Sequence, residues 1–352
     1  MTRDELTSRT GTHQRYITEW LERQVTTGIL EVDDPAAGHD ARVYSLSAAH
    51  REVLCDRDSL SYLTPFARLM TAGGLQLTAL LDAYRDGGGV PWERYGPDMR
   101  TGQADMNRPW FINALGSEWF PAVPELDQRL HQDGARVADI GCGEGWSSIA
   151  IAQAYPGVTV DGFDIDEASI VAARDHARNA GVSARVHFHL VDGSGASGED
   201  SYDVVTLFEC VHDMAHPIEV LKAARSLAKP DGHVIVMDEA VADSFGDSTD
   251  EVERLMYGFS LFVCLPDGLS HEGASEPERS CDLHNSRSTP RGLVSAESRS
   301  SPSKTTCGAF THSQCELVKR VPRVPDTAHR SLAPAVLGGT RSLRSDRFPA
   351  IA

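Results

Sequence analysis

Apolar positions along this chain follow three patterns. From Gln14 to Thr26, Ile17, Trp20, Leu21 and Val25 recur at helical spacing and predict one buried helix face. The stretch "TRDELTSRT" predicts a preceding helix, Gly11 a turn, and Thr12 the N-cap of the second helix. "GILEV" and "ARVYSLS" then predict a strand and its return. Residues 47 to about 131 keep a helical pattern, with "GGGVPWERYG" as a loop in the middle. From Arg136 the pattern changes to strand, helix, strand, helix. "RVADIGC", "VTVDGFDI", "RVHFHLVD", "YDVVTLFEC" and "GHVIVMDEA" are the strands. "GWSSIAIAQAY", "EASIVAARDHARNAG" and "IEVLKAARSLAKPDG" are helices, ending before Pro156, at Gly181 and at Pro230. Such alternation predicts right-handed crossovers and a parallel sheet covered on both faces.

After about Ala274 no period survives. The segment from 274 to 352 is rich in Ser, Arg and Pro and holds 12 Lys/Arg against 7 Asp/Glu. Its only aromatics are Phe310 and Phe348. This composition predicts a disordered tail, because too little apolar surface is available to offset chain entropy. The whole chain has 352 residues and a formal net charge of -18, so the body ahead of the tail is more acidic still. That balance weighs against non-specific nucleic-acid binding, which needs cationic surface. No run of about 18 apolar residues predicts a membrane span, and "MTRDELTSRT" lacks the apolar core of a signal peptide. Seven cysteines without a CxxC pair point to a reducing cytoplasm and no metal site.

The chemistry centres on "DIGCGEGW". Asp139 ends a strand, and Gly141, Gly143 and Gly145 follow at every second position. Glycines there allow a sharp turn and close approach of a ligand to a helix N-terminus. No GK[ST] follows, which disfavours a phosphate-cradling loop. The dinucleotide fingerprint wants glycine where Trp146 stands, and an acid at Asp139 repels a pyrophosphate. Asp139 instead suits a ligand with an ammonium group. Asp164, at the next strand end, is placed for ribose hydroxyls, and Asp192, in "LVDG", for the exocyclic amine of adenine. Together these describe S-adenosylmethionine. The competing reading is a Rossmann-like fold whose glycines serve only the turn.

The order DxGxGxG, "GFDID", "VDG", "FECVHDM", "KPDGHVIVMDE" resembles the class I S-adenosylmethionine-dependent methyltransferases over about residues 100 to 270. With the N-terminal helices and hairpin, which have the outline of a winged helix, the chain is similar to actinobacterial small-molecule methyltransferases of that build. The resemblance implies an α/β fold with a Rossmann-like sheet, preceded by an α-rich winged-helix region. It implies four parts: a winged helix over 1–46, one helix short at its start; a helical dimerisation or substrate-cap region over 47–131; a cofactor-binding domain over 132–273; and the tail over 274–352. Asp139, Gly141, Gly143, Gly145, Asp164, Asp192 and Glu209 become the expected cofactor contacts. The expected partners are a small-molecule methyl acceptor and a second copy bound through the N-terminal region.

Transfer of a methyl group from a sulfonium to a hydroxyl is helped by a base. His212 in "VHDM" resembles the histidine base of small-molecule O-methyltransferases, with Asp213 orienting its ring; alternatively His212 lines the pocket without chemistry. Glu239 in "MDEA" is a further candidate. His212, Asp213 and His216 lie close enough to raise a facial triad, but His216 reads better as a helix-start residue. Cys142 reads as a small residue packed behind the loop, and Trp110, Phe111, Trp119 and Phe120 as core or pocket wall. "THQRYITEW" has His13, Gln14 and Arg15 where a DNA-reading helix makes contacts, but Glu19 and Glu22 oppose that use. The alternative functions are a winged-helix regulator that keeps the fold as a ligand sensor, and an inactive remnant.

The remnant reading comes from the tail. The family sheet has seven strands, and only five are legible here. One allowed coding of "TTCGAFTHS", read one base out of frame, gives "DMWRFYPL". The same shift lets "ASEPERSCDL" encode "VRTGTVMRP" and "STPRGLVS" encode "DAARAGF". These resemble the family's closing strands in their order. The expectation is a frameshift near Gly273 or Ala274, leaving an exposed sheet edge and low stability. The rival is a natural basic tail with an acidic partner.

Overall fold

The computed structural model of the chain describes residues 1–196, 198, 201–239, 246, 251–271, 273 and 274. The expected tail and frameshift product fall, from residue 275 onward, outside the described residues.

Two helices and a hairpin open the chain. Helix α1 (Arg3–Thr10) starts at Thr2, whose hydroxyl accepts from the Glu5 amide while Glu5 accepts from the Thr2 amide, and it ends at Gly11 with φ 64°. Helix α2 (Gln14–Thr26) is capped by His13 rather than Thr12: the His13 Nδ1 accepts from the Arg15 amide at 3.2 Å. Ile17 and Leu21 are buried against Tyr44, with Val25 beside them. Trp20 departs from the expected buried face and is 49% exposed. Strands β1 (Leu30–Val32) and β2 (Tyr44–Leu46) pair antiparallel, Leu30 opposite Leu46.

A helical layer follows: α3 (Ala48–Cys55), α4 (Thr64–Leu75), α5 (Leu77–Asp86) and α6 (Trp92–Trp110). Gly102 lets α6 press on α4, since a Cβ there would sit 3.0 Å from Leu69 Cδ2. Helix α6 breaks at Gly96, φ 76°, and runs on into a π-helical stretch, Phe111–Trp119, that the sequence pattern did not reveal. This stretch buries Phe111, Leu115 and Trp119, and α7 (Pro124–Leu130) follows.

The sheet contains β3 (Arg136–Ile140), β4 (Thr159–Asp164), β5 (Val186–Leu190), β6 (Tyr202–Phe208) and β7 (Ala228–Met237). Its order is β5-β4-β3-β6-β7, and every pair is parallel. Helices α8 (Trp146–Ala154), α9 (Glu167–Asn179) and α10 (Pro217–Leu227) make the crossovers. All seven residues of β6 are buried, as expected of a central strand covered on both faces. The order reverses at β3, with β4 on one side and β6 on the other, so a crevice opens above their carboxyl ends. Helix α10 stops at Leu227, short of Pro230, because Ala228 is already extended and the residue before a proline resists the helical region. Among the described residues β7 pairs on one side only.

Two last elements fasten the layers together. Helix α11 (Glu251–Phe259) passes through a π turn, Ser260–Cys264, into α12 (Leu265–Leu269). The Val90 amide donates to the Pro266 carbonyl at 2.8 Å, and the Trp92 amide to Asp267 Oδ1 at 2.8 Å. The Tyr95 hydroxyl donates to the Phe262 carbonyl at 2.9 Å. These bonds hold Cys264 and Asp267 above the sheet.

Candidate active site

The crevice is a cavity of about 440 Å³ bounded by the turns after β3, β4 and β6, by α6 and by the start of α12. The three glycines after β3 do three different things. Gly141, φ 70°, lies against Cys210, whose Sγ would be 2.8 Å from an added Cβ. Gly143, φ 51°, has open space beside it, and its amide donates to Asp164 Oδ2 at 2.7 Å. Gly145, φ 83°, is pressed between Phe188 and Ala173 and does not line the cavity. It is a packing residue, which corrects its expected role as a ligand contact. Gly145→Ala is expected to cost about 2–4 kcal/mol, since strained φ adds to a 2.5 Å clash with Phe188 Cζ. Gly143→Ala carries only the backbone strain, about 1–2 kcal/mol. Thermal melts of the two variants check the ranking.

Asp139 also takes a different role from the expected one. It is fully buried and outside the cavity lining. Its Oδ2 accepts from the Ser147 and Ser148 hydroxyls, both at 2.6 Å, and its Oδ1 from the Thr206 hydroxyl at 2.8 Å. Burial pushes its pKa up, and the three hydroxyls act against that rise. Asp139 therefore ties β3 to the start of α8 and to β6.

Asp164 faces the cavity as expected. Besides the Gly143 amide it accepts the Asp166 amide at 2.9 Å, and burial raises its pKa against those two bonds. Asp192 lines the cavity from an exposed position, its Oδ1 accepting from the Ser194 amide and hydroxyl at 2.7 and 2.6 Å. Glu209 closes β6 with φ 51°, the one positive φ outside glycine among the described residues. Burial, reinforced by the charge of Asp238, lifts its pKa to about 8. Trp146 stacks on His176 at 4.5 Å with the Arg108 guanidinium on it at 4.6 Å. That arrangement fills the space where the dinucleotide fingerprint needs a glycine.

Next in sequence to the wall residue Asp213, but outside the cavity lining, stands His212. Its Nδ1 is hydrogen-bonded to Asp238, whose other oxygen accepts the His212 amide at 3.1 Å. Its Nε2 lies 3.6 Å from Glu239 Oε1. Burial alone would lower the imidazole pKa, but the charge and hydrogen bond of Asp238 hold it well above the usual range. The expected orienting residue, Asp213, is not the ring's hydrogen-bond partner. It contributes charge nearby, with its own pKa raised to about 7 by burial. Asp238 was missed although it stands beside Glu239 in the quoted motif. Strand alternation sends neighbouring side chains opposite ways, and both acids lie just past the strand, where that rule lapses. Cys264, also missed, meets His212 from α12's side, its thiol pushed to about 11 by burial. Cys142 is a buried residue of the loop that borders the cavity, and burial raises its thiol well above the usual value, which disfavours a thiolate. His216 stands at the start of α10. Phe111 lines the cavity, while Trp119 and Phe120 are core.

Residues 131–267 match the family model described as a methyltransferase domain. Over this part the chain is similar to S-adenosylmethionine-dependent methyltransferases. The ubiquinone biosynthesis O-methyltransferases of Bordetella avium and Pseudomonas fluorescens are 37% and 33% identical over 123 residues, 35% of this chain. Those matches take in 48% and 50% of the relatives, so the chain spans about half the length of the curated relatives it matches. The fold extends further. A putative O-methyltransferase from Nostoc punctiforme superposes with TM-score 0.54 at 21% identity over 81% of both chains. Human N-acetylserotonin methyltransferase, solved with S-adenosylmethionine, gives 0.54 at 17% identity, covering 82% of this chain and 81% of its own.

The methyltransferase cavity suits that cofactor on its own residues. Glu144, Asp164, Asp192 and Glu209 give it an acidic wall, and Gly143 leaves room for close approach. Acidic side chains match a sulfonium, an ammonium and ribose hydroxyls, and repel phosphates. No helix among the described residues is long and apolar enough to cross a membrane.

Proposed function

We propose that the chain methylates a hydroxyl of a small molecule, with His212 accepting the proton. The observation that carries this reading is the Asp238–His212 pair next to Asp213 of the cavity wall, with Glu239 near the ring's other nitrogen. Asp164 would hold the ribose, Asp192 the adenine amine, and the backbone at Gly141 and Gly143 the methionine end. S-adenosylmethionine, when bound, supplies an electrophilic methyl on a good neutral leaving group. The chain's residues then position the acceptor and take its proton. Asp238 fixes the ring through Nδ1 and leaves Nε2 toward Glu239. Because Asp238 holds the imidazole pKa well above the usual range, the ring acts as a base only after losing its own second proton, so methyl transfer should rise with pH. Relatives whose printed names specify O-methyl transfer support oxygen as the acceptor atom.

The N-terminal part serves dimerisation in this reading. Leu75, Leu77, Leu81 and Tyr84 on α4 and α5, with Tyr16 and Trp20 on α2, are all exposed, and a second copy would cover them. Arg15 is committed to Glu19 at 2.5 Å, which favours this use over DNA contact.

Calorimetric titration with S-adenosylmethionine is the first test. Saturable binding, weakened at least about tenfold in Asp164→Ala, is the expected result, followed by methyl transfer to a phenol panel. Binding without transfer to any hydroxyl would overturn the acceptor assignment.

A further inference from the structure

Three side chains of different chemistry converge where the helical layer meets the end of the sheet. The His212 imidazole, the Glu239 carboxylate and the Cys264 thiol each place a donor atom within 4.8 Å of the other two. Nε2 of His212 and Oε1 of Glu239 are 3.6 Å apart, and the Cys264 thiol lies within 4.8 Å of both side chains' donor atoms.

We propose that His212, Glu239 and Cys264 form a binding site for a divalent cation of the zinc class. The donor set is one nitrogen, one oxygen and one sulfur, a mixture that suits a borderline-soft cation and not magnesium or calcium, which take oxygen shells. Bonds of about 2.0–2.3 Å arranged tetrahedrally place ligand atoms roughly 3.3–3.8 Å apart. The histidine–glutamate spacing already lies in that range, and the widest pair must close by about 1 Å. The outer shell is also in place. Metal-bound histidine commonly gives its second N–H to a carboxylate, and Nδ1 of His212 has Asp238 in that position. The backbone is tied in the same place: Cys264 ends the Ser260–Cys264 turn, and Tyr95 and Val90 anchor its neighbours Phe262 and Pro266. On binding, the thiol and Nε2 of His212 each lose a proton to solvent, sulfur joins the metal as thiolate and the ring as neutral imidazole. Three protein ligands leave a fourth position for water. The lone pair on Nε2 is then occupied, so the cation blocks the proton acceptor proposed above.

The site rests on donor geometry, and its test is independent of turnover. Cobalt(II) is added to the full chain as the probe, and the near-ultraviolet thiolate-to-cobalt band is followed with the visible bands of four-coordination. The expected result is one saturable site whose thiolate band disappears in Cys264→Ser and in Cys264→Ala. Asp238→Asn should weaken binding by about 10–100-fold. Cys55→Ser, at an exposed cysteine, should leave the spectrum unchanged. Melting curves confirm that each variant is folded. Cys281, Cys307 and Cys315 remain in every variant, so a band that survives both Cys264 substitutions assigns the cation to them and overturns the proposal. A folded chain with no thiolate band overturns it as well.

Discussion

His212→Ala should lower kcat for hydroxyl methylation by about 10²–10⁴-fold, the usual worth of a positioned base. The loss belongs in kcat because His212 is not among the residues that line the cavity with Asp164 and Asp192. Affinity for S-adenosylmethionine should change by less than about threefold, roughly 0.7 kcal/mol. Added imidazole should restore part of the rate in this variant. Asp238→Asn should give a smaller fall, about 10–100-fold, again in kcat and not KM, because Asp238 acts through the ring it holds. Stopped assays with labelled cofactor measure both. An unchanged kcat in His212→Ala would leave the ring as a wall of the pocket and remove the base from the mechanism.

Asp139→Ala should destabilise the chain by about 3 kcal/mol. Three hydroxyls, on Ser147, Ser148 and Thr206, lose their acceptor at once in a site with no solvent access. For a domain of this size that corresponds to a fall in melting temperature of roughly 6–12 °C. Any loss of cofactor affinity should follow the unfolding and recover on cooling. Differential scanning calorimetry with and without S-adenosylmethionine separates the two. A variant with unchanged melting that no longer binds would place Asp139 at the ligand after all.

The contrast between Asp139 and Asp164 shows where sequence reading succeeds and where it stops. All five strands were legible because parallel strands buried on both faces read as runs of Val, Ile and Leu bounded by glycine or acid. The cofactor end followed, since strand ends in such a sheet meet at one crevice. Which way a residue at a strand end faces was not legible. Asp139 stands one residue before the end of β3 and Asp164 ends β4, yet one is buried away from the cavity and the other lines it. Gly141, Gly143 and Gly145 look equivalent in the motif, but only what stands beside each distinguishes a ligand approach from packing on Phe188. Asp238 and Cys264 reach His212 through contacts distant in sequence, which no local pattern encodes. Trp20 kept helical spacing and still stayed exposed, because the hairpin covers only the Ile17–Leu21 side.

The cavity's two halves come from different parts of the architecture. Its cofactor half is made by the short turns after β3, β4 and β5. Trp92, Gln103 and Asn107 of α6, with Asp267 of α12, face it from the helical layer. Substitutions on that layer leave the hydrogen bonds of Asp164 and Asp192 untouched. The choice of acceptor can therefore diverge between relatives, or be re-engineered by exchanging α6 side chains, while the donor that feeds the reaction stays the same.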